Sequence, residues 1–342
     1  MRCFQRKNDT VPTMRLVSLF LAFWLFGCVE PVESDGCVTA TNGTCEELRG
    51  CPLGTDTTDC DLVCGSSAAE EYPAVCAHDQ SAWVLAGESE KEAGSGGSGG
   101  LSGTWDGTVT VRGARSDDLV DRHYRVFAPR RLQNQESVPV VFALGGFTVD
   151  LYWLAEFTEL NRMADREGFL VVYGQPEWRS FGGDWLFAWY VYQGAFQGGW
   201  SENPDLAYLE AVLDEVSGAY NVDETKVFVT GHSRGAALSI IAATERPEVF
   251  QGFCAQAGFS TVNEYDERIV SLGQPVVGVL VHGDADPDVS VSESDHLADV
   301  FDSVGGTEEI LYLRVPGATH EWQSQHNQEV WDFLQSRMGS SK

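Results

Sequence analysis

The chain has 342 residues, of which 43% are hydrophobic and 11% aromatic, including 10 Trp. This composition excludes a disordered chain and predicts one large folded domain with an appendage. Because 22 Lys and Arg stand against 51 Asp and Glu, a formal net charge of −29, we do not expect binding to nucleic acid or to an anionic membrane surface.

The N-terminus has the pattern of an export signal. Basic residues precede the apolar run 16–26, which is too short to cross a bilayer, so we interpret residues 1–27 as a signal peptide. Residues 25–28 resemble a bacterial lipobox, in which Cys28 would carry the lipid of an outer-membrane lipoprotein. Secretion without lipidation is the alternative, and both place the protein outside the cytoplasm.

Residues 28–87 form a short segment rich in cysteine. An even number of cysteines in an exported segment predicts three disulfides, whose pairing the sequence leaves open. We interpret the segment as a disulfide-rich surface module, either a stalk or an adhesive module. Residues 88–104 follow as a flexible Gly/Ser linker, and residues 105–342 form the main domain. The six cysteines are Cys37, Cys45, Cys51, Cys60, Cys64 and Cys76.

Beyond residue 105, short apolar strands alternate with amphipathic helices, which is typical of a mostly parallel sheet covered on both faces. The order of elements predicts an α/β-hydrolase fold. Cys254, on an apolar strand, is expected to be a core thiol. Strands are predicted over 108–111, 124–127, 138–144, 169–173, 226–230, 250–257, 275–282 and 310–315, and helices over 154–166, 204–220, 236–244, 293–303 and 325–337.

The main catalytic motif is the pentapeptide Gly231-His232-Ser233-Arg234-Gly235. It lies between a predicted strand and a predicted helix, as the nucleophile elbow of an α/β-hydrolase requires. Its glycines let the strand and the helix pass closely. We therefore expect Ser233 to be a nucleophile, with an ordinary glycine-rich turn as the alternative.

In this fold the acid and the base follow the nucleophile in chain order. Asp286 follows a predicted strand and is our choice for the acid, with Asp284 and Asp288 as alternatives that could instead cap the turn. His320, in the loop after the last predicted strand, is the expected general base. The other histidines considered, which we interpret as structural or solvated, are His232, His296 and His326.

Six segments carry further motifs: YRVFAP at 124–129, ALGG at 143–146, ADREGF at 164–169, NVDETKVFVTGHS at 221–233, HGDAD at 282–286 and GATHEW at 317–322. With these motifs, residues from about 120 to 335 resemble the secreted esterases that include polyhydroxybutyrate depolymerases and feruloyl and acetylxylan esterases. The resemblance implies that nucleophile, acid and base fall on Ser233, Asp286 and His320. Family members usually have a His-Gly pair where this chain has Gly145-Gly146.

Two further sets of residues complete the predicted site. The backbone amide of Arg234, with that of Phe147 or Gly146, is expected to stabilise the oxyanion. The stretch 178–200 is rich in aromatic residues and lies where this fold binds ligands, so we expect either a stacking platform for substrate or a hydrophobic lid. The residues assigned to substrate binding are Trp185, Trp189, Trp200 and Trp322.

Together these observations predict a secreted or surface-anchored serine esterase that needs no metal or organic cofactor. The resemblance indicates polyhydroxyalkanoates, or feruloyl and acetyl esters of polysaccharides, as substrates, so the substrate can be polymeric. The alternative is a non-catalytic surface-binding protein on a hydrolase scaffold. The sequence leaves open which ester is cleaved and the oligomeric state.

Overall fold

The computed structural model describes residues 102–114, 119–129, 132, 137–181, 184–260, 264–306 and 309–338. The predicted signal peptide, the Cys-rich module with Cys28 and its six further cysteines, and the linker up to residue 101 lie outside the described residues. They remain predictions. Among the helices of the described ranges, none combines the length and the apolar character that a membrane crossing requires.

Short apolar runs form the strands, as their β-branched composition predicts. Eight of them make one sheet in the order β1-β2-β4-β3-β7-β8-β9-β10, while β5 and β6 form a separate hairpin. The strands are β1 (Gly103–Arg112), β2 (Leu119–Ala128), β3 (Val138–Leu144), β4 (Leu170–Gly174), β5 (Glu177–Phe181), β6 (Asp184–Ala188), β7 (Val222–His232), β8 (Gly252–Gln256), β9 (Gly278–Gly283) and β10 (Ile310–Val315).

Helices connect the parallel strands and cover both faces of the sheet. They are α1 (Leu151–Phe157), α2 (Leu160–Glu167), α3 (Pro204–Ala219), α4 (Arg234–Glu245), α5 (Tyr265–Leu272), α6 (Ser292–Ser303) and α7 (Asn327–Met338). Local sequence sets several of their ends. For example, the carboxylate of Asp150 caps α1 by accepting from the amides of Tyr152 and Trp153, and Pro204 opens α3 behind the Asn203 cap.

The strand directions place all the loops of interest at one edge of the sheet. The six strands β4-β3-β7-β8-β9-β10 are parallel to their neighbours in the sheet, so their carboxyl ends meet at the same edge. β2 runs antiparallel to β4, and β1 antiparallel to β2, with Gly103 opposite Ala128. As a result β1 begins at the opposite edge, where the parallel strands start.

The core consists of two layers, one on each face of the sheet. Alternate residues of β3 point to opposite faces, so Val140 and Phe142 join one layer while Val141 and Ala143 join the other. Helices α3 to α6 cover the first layer, and α1, α2 and α7 cover the second. Complete burial of a side chain such as Phe142 contributes about 1.5–3 kcal/mol. The predicted α/β-hydrolase fold is confirmed.

Three local features differ from the prediction. The single helix expected over 154–166 is two helices, α1 and α2, separated where Glu159 adopts a φ of 57°. The β5–β6 hairpin and α5 were not predicted. Cys254 is a buried, unpaired thiol, as expected, and burial raises its pKa to about 12.

Candidate active site

Ser233 lies at a sharp turn between β7 and α4. Its φ of 56° and ψ of −116° are rarely adopted by a residue with a side chain, which is the strain expected of a nucleophile elbow. A Cβ at Gly231 would overlap the backbone of Gly235, and one at Gly235 would overlap the carbonyl oxygen of Leu144. The two glycines therefore permit the close crossing that projects Ser233 at the sheet edge.

The carboxylate of Asp286 lies in the loop after β9, and its side chain is fully buried. Its Oδ1 accepts from the amides of Asp288 and Val289 at 2.8 and 2.9 Å, while its Oδ2 lies 2.7 Å from Nδ1 of His320. Burial alone would raise the pKa of Asp286, but these hydrogen bonds outweigh it and hold the pKa below its usual value. Asp286 is thus held as an anion against His320.

The two neighbouring carboxylates have other surroundings. Asp284 accepts from the amide of Gly317 at 2.7 Å, and so ties the loop after β9 to the loop that carries His320. Asp288 is exposed and its amide supports Asp286. The structure therefore places Asp286, rather than either alternative, against the histidine.

A second histidine also contacts Asp286. His282 is fully buried, with Nε2 3.3 Å from Oδ2 of Asp286 and 3.0 Å from the carbonyl oxygen of Val289. Since both neighbours accept, Nε2 carries the proton, and Nδ1 accepts from the hydroxyl of Ser294 at 2.6 Å. Burial lowers the pKa of His282 and keeps the ring neutral. Sequence reasoning missed this contact, although the spacing of four residues from Asp286 was visible.

His320 is brought to the side of the elbow. Its ring lies 4.7 Å, centroid to centroid, from the ring of His232, which directly precedes Ser233. With Nδ1 engaged by Asp286, Nε2 is the ring atom that can accept a proton. His232 itself is buried, and burial together with the nearby His320 lowers its pKa to about 3. Its Nε2 has no hydrogen-bond partner within the ranges that the structure describes.

The loop after β3 packs directly against the elbow. A Cβ built on Gly146 would lie 3.3 Å from Cβ of Ser233, which is tighter than an ordinary van der Waals contact, so glycine favours this close approach of the backbone. Two hydrogen bonds fix this loop. Nε1 of Trp189 donates to the carbonyl oxygen of Gly145 at 2.8 Å, and the amide of Thr148 donates to the carbonyl oxygen of Phe187 at 2.9 Å. The predicted oxyanion amides thus lie on a supported loop and at the start of α4.

The predicted aromatic platform requires correction. Trp189 is fully buried beneath the Gly145 carbonyl, and Trp322 is buried with its Nε1 donating to Asn327 at 3.1 Å, so neither ring can stack on a substrate. Trp200 packs edge-on against Tyr265 at 4.8 Å and adjoins the core. Trp185 lies in β6, opposite Ser180.

Exposed aromatic rings instead lie beside Arg234. Phe147 is 39% exposed and Tyr192 is 37% exposed. The guanidinium carbon of Arg234 lies 4.4 Å from the centroid of the Phe147 ring and 5.4 Å from that of Tyr192. Tyr192 in turn stacks on Phe259 at 6.2 Å. We call Phe147, Tyr192 and Arg234 the rim. Tyr192 belongs to the aromatic stretch 178–200, whereas Phe147 was predicted only as an oxyanion amide. The exposure of the two rings could not be predicted from the sequence.

One group within the described ranges has the composition of a metal site. Asp286, Asp288 and His320 each place a ligand atom within 4.8 Å of the others. However, Nδ1 of His320 and Oδ2 of Asp286 are joined by the 2.7 Å hydrogen bond, which a metal ion would have to replace. The geometry therefore fits an aspartate that orients an imidazole.

The sheet order and the positive φ of Ser233 at the end of β7 place the domain among the α/β-hydrolases. Within that class the chain belongs to the esterase family: the family model described as "Putative esterase" matches residues 120–333.

The individual proteins that this chain resembles have low sequence identity to it. The bifunctional acetylxylan esterase/xylanase XynS20E of Neocallimastix patriciarum is 23% identical over 249 residues, covering 66% of this chain and 35% of the relative. An acetylxylan esterase of Coprinopsis cinerea is 29% identical over 136 residues, covering 39% and 34%. The chain spans less than half the length of the curated relatives it matches. The solved acetyl xylan esterase of Aspergillus awamori superposes with a TM-score of 0.53 at 16% identity, covering 67% of this chain and 99% of that one.

Proposed function

We propose that this chain is a serine esterase that hydrolyses carboxylic esters with Ser233, His320 and Asp286. The observation that carries the proposal is the 2.7 Å hydrogen bond between buried Asp286 and His320, next to a serine with a φ of 56°. A strained elbow and an oriented imidazole are each uncommon, and their juxtaposition is what acyl transfer requires.

In the proposed reaction, Oγ of Ser233 attacks the ester carbonyl carbon while Nε2 of His320 takes the hydroxyl proton. The carbonyl electron pair moves to oxygen, where the amides of Arg234 and of Gly146 or Phe147 stabilise it. Collapse breaks the bond to the alcohol, which leaves with the proton from His320. Water then repeats the sequence on the acyl-enzyme and releases the acid, while Asp286 balances the charge of the imidazolium throughout.

The proposed substrates are feruloyl or acetyl esters of polysaccharides, or polyhydroxyalkanoates. The names of the acetylxylan esterase relatives favour acetylated polysaccharide among these. We also propose that residues 1–27 direct export, that Cys28 is lipidated, that residues 28–87 form a disulfide-linked module, and that residues 88–104 link it to the esterase domain, 105–342. Export would bring the enzyme to polymeric esters outside the cell.

The proposal is tested by incubating the full chain with 4-nitrophenyl acetate, methyl ferulate, acetylated xylan and short-chain polyhydroxybutyrate. We expect at least one ester to be cleaved and Ser233→Ala to abolish cleavage. Ser271→Ala makes the same chemical change at an exposed position on α5 and is expected to retain activity. Folded wild-type protein that cleaves none of these esters, or Ser233→Ala with full activity, would contradict the proposal.

A further inference from the structure

Arg234 places a positive charge beside the nucleophile. It directly follows Ser233, begins α4, and holds its guanidinium over the ring of Phe147 at 4.4 Å and near that of Tyr192 at 5.4 Å. Both distances are within the range of cation–π attraction. Because Phe147 follows Gly146, which packs on Ser233, the charged group lies at the entrance to the site.

This position stands out in a chain with a net charge of −29. Several other arginines of the described ranges pair with carboxylates, as Arg125 does with Asp106 and Arg268 with Glu245. Arg234 contacts the rings of Phe147 and Tyr192, and a second arginine, Arg179, is close enough to lower the pKa of Arg234. Arg179 lies over the ring of Tyr190 at 3.7 Å. Arg179 also interacts electrostatically with the buried carboxylate of Asp205, so the positive charge beside the nucleophile is that of Arg234.

Partial burial makes this charge sensitive to an incoming anion. Burial lowers the pKa of Arg234, with a further contribution from Arg179, although a guanidinium remains protonated at any working pH. A cation that has lost part of its water gains more from an anion than one in bulk solvent. The N-terminus of α4 adds its own positive partial charge.

We propose that the site is selective for esters that carry a carboxylate near the scissile bond, with Arg234 as the specificity-determining residue. This inference rests on the proposed esterase function. A carboxylate is the complement of a guanidinium, since its two oxygens match two coplanar N–H donors. The rings of Phe147 and Tyr192 hold the guanidinium in place, so little side-chain freedom is lost when the substrate binds.

The test uses two pairs of esters, each an acid and its methyl ester. In 4-acetoxybenzoate the carboxylate lies in the leaving alcohol, and in mono-4-nitrophenyl adipate it lies in the acyl part. For each pair we measure the ratio of kcat/KM for the anionic ester to that for the neutral ester, in the full chain. We expect a ratio above one for at least one pair, which also identifies the part of the substrate that contacts Arg234.

In Arg234→Gln this ratio is expected to fall about tenfold, the value of one lost charge-assisted hydrogen bond. Arg234→Lys keeps the charge and is expected to lie between wild type and Arg234→Gln. The matched control Arg166→Gln removes one positive charge from the exposed surface of α2 and should leave the ratio unchanged. Added NaCl should lower the wild-type ratio, a measurement that requires no variant to fold.

Hydrolysis of the neutral esters with no preference for the anionic ones, or an unchanged ratio in Arg234→Gln, would overturn this inference and leave the esterase function intact. An equal fall in Arg166→Gln would assign the preference to overall charge and also overturn it. Failure to cleave any of the four esters, anionic or neutral, would instead contradict the proposed function.

Discussion

The carboxylate of Asp286 is shared between two imidazoles, and only one of them faces the nucleophile. His282 approaches Oδ2 from the buried side at 3.3 Å, while His320 lies at 2.7 Å. Because His282 is neutral and fixed by Ser294 and Val289, it orients the carboxylate without competing for its charge. His282 is therefore a positioning residue, which acts on His320 through Asp286.

Replacing His282 tests this role. In His282→Phe the Nε2 contact with Oδ2 of Asp286 at 3.3 Å is lost. A polar contact of this kind is worth about 0.5–1.5 kcal/mol, so we expect kcat to fall about threefold to tenfold. KM should change little, because His282 does not touch substrate. His282→Gln retains an N–H donor and should recover part of kcat. The assignment would be contradicted if His282→Phe changed KM as well as kcat in proportion to its loss of thermal stability. It would also be contradicted if His282→Gln recovered none of kcat.

His232 gives the protein a specific sensitivity to acid. Its pKa falls from 6.5 to about 3 in the folded state, so between these values the unfolded chain binds a proton that the folded protein does not. The free energy of unfolding therefore decreases as the pH falls through this range, by at most about 1.4 kcal/mol per pH unit. Between pH 6 and pH 4, the slope of the free energy of unfolding against pH should be smaller in His232→Gln than in wild type, by up to about 1.4 kcal/mol per pH unit.

Denaturant titrations at several pH values measure this slope directly. The comparison is between slopes, so an overall loss of stability in the variant does not affect it. Identical slopes for wild type and His232→Gln would show that His232 titrates normally in the folded protein.

At the scale of elements, the elbow depends on the crossing of β7, α4 and the end of β3. A Cβ at Gly235 would overlap the carbonyl oxygen of Leu144. Because this oxygen belongs to the backbone of β3, it cannot move away as the end of a flexible side chain could. We expect Gly235→Ala to destabilise the domain by about 1–3 kcal/mol, as overpacking does, and to abolish ester hydrolysis. Gly194→Ala is the matched control, because a Cβ there meets nothing within 4 Å.

Thermal unfolding and 4-nitrophenyl acetate hydrolysis would be measured on both variants. If Gly235→Ala retained wild-type stability and activity, the close crossing would not be a requirement of the elbow.

Those strands, turns and helices that are marked by a short local pattern of residues could be predicted from the sequence. The strand, turn and helix around Ser233 are marked by an apolar run, two glycines and a second apolar run, and β3 was predicted with its observed bounds. The break at Glu159 carries no glycine or proline, so nothing local marks it. The β5–β6 hairpin had a signal, Gly182-Gly183 between two five-residue runs, which the density of aromatic residues obscured.

The aromatic residues show why burial was harder to predict than position. A tryptophan in a glycine-rich stretch can face the core or the solvent, and only the packing of the hairpin on the loop after β3 puts Trp189 beneath Gly145. Likewise Asp284 and Asp286 follow the same strand. Which of them meets His320 depends on a turn in which Asp284 is already used by Gly317.

At the scale of the whole molecule, net charge governs the response to salt. At −29 the folded chain repels itself, and compactness increases that repulsion. Raising NaCl from about 0.02 M to about 0.5 M shortens the screening length from about 20 Å to about 4 Å. We expect a stabilisation of about 1 kcal/mol, which raises Tm by about 2–4 °C in a domain of this size.

A scan at neutral pH measures the change in Tm, with a second scan near the pI of about 4.4 as the control. The increase should vanish near the pI, where the net charge is small. A lower Tm in salt at neutral pH would mean that the surface ion pairs contribute more than the repulsion does.

The direction of β1 has a practical consequence. The chain enters the sheet at Gly103, at the edge where the parallel strands begin, and the rim and Ser233 lie at the other edge. The length of β1, about 30 Å at 3.3 Å per residue, separates the two. A resin, a fusion partner or a cell envelope attached through the N-terminal side would therefore join the domain on the side opposite to Ser233. The attachment would leave the rim unobstructed, so that a substrate too large to diffuse could still reach it.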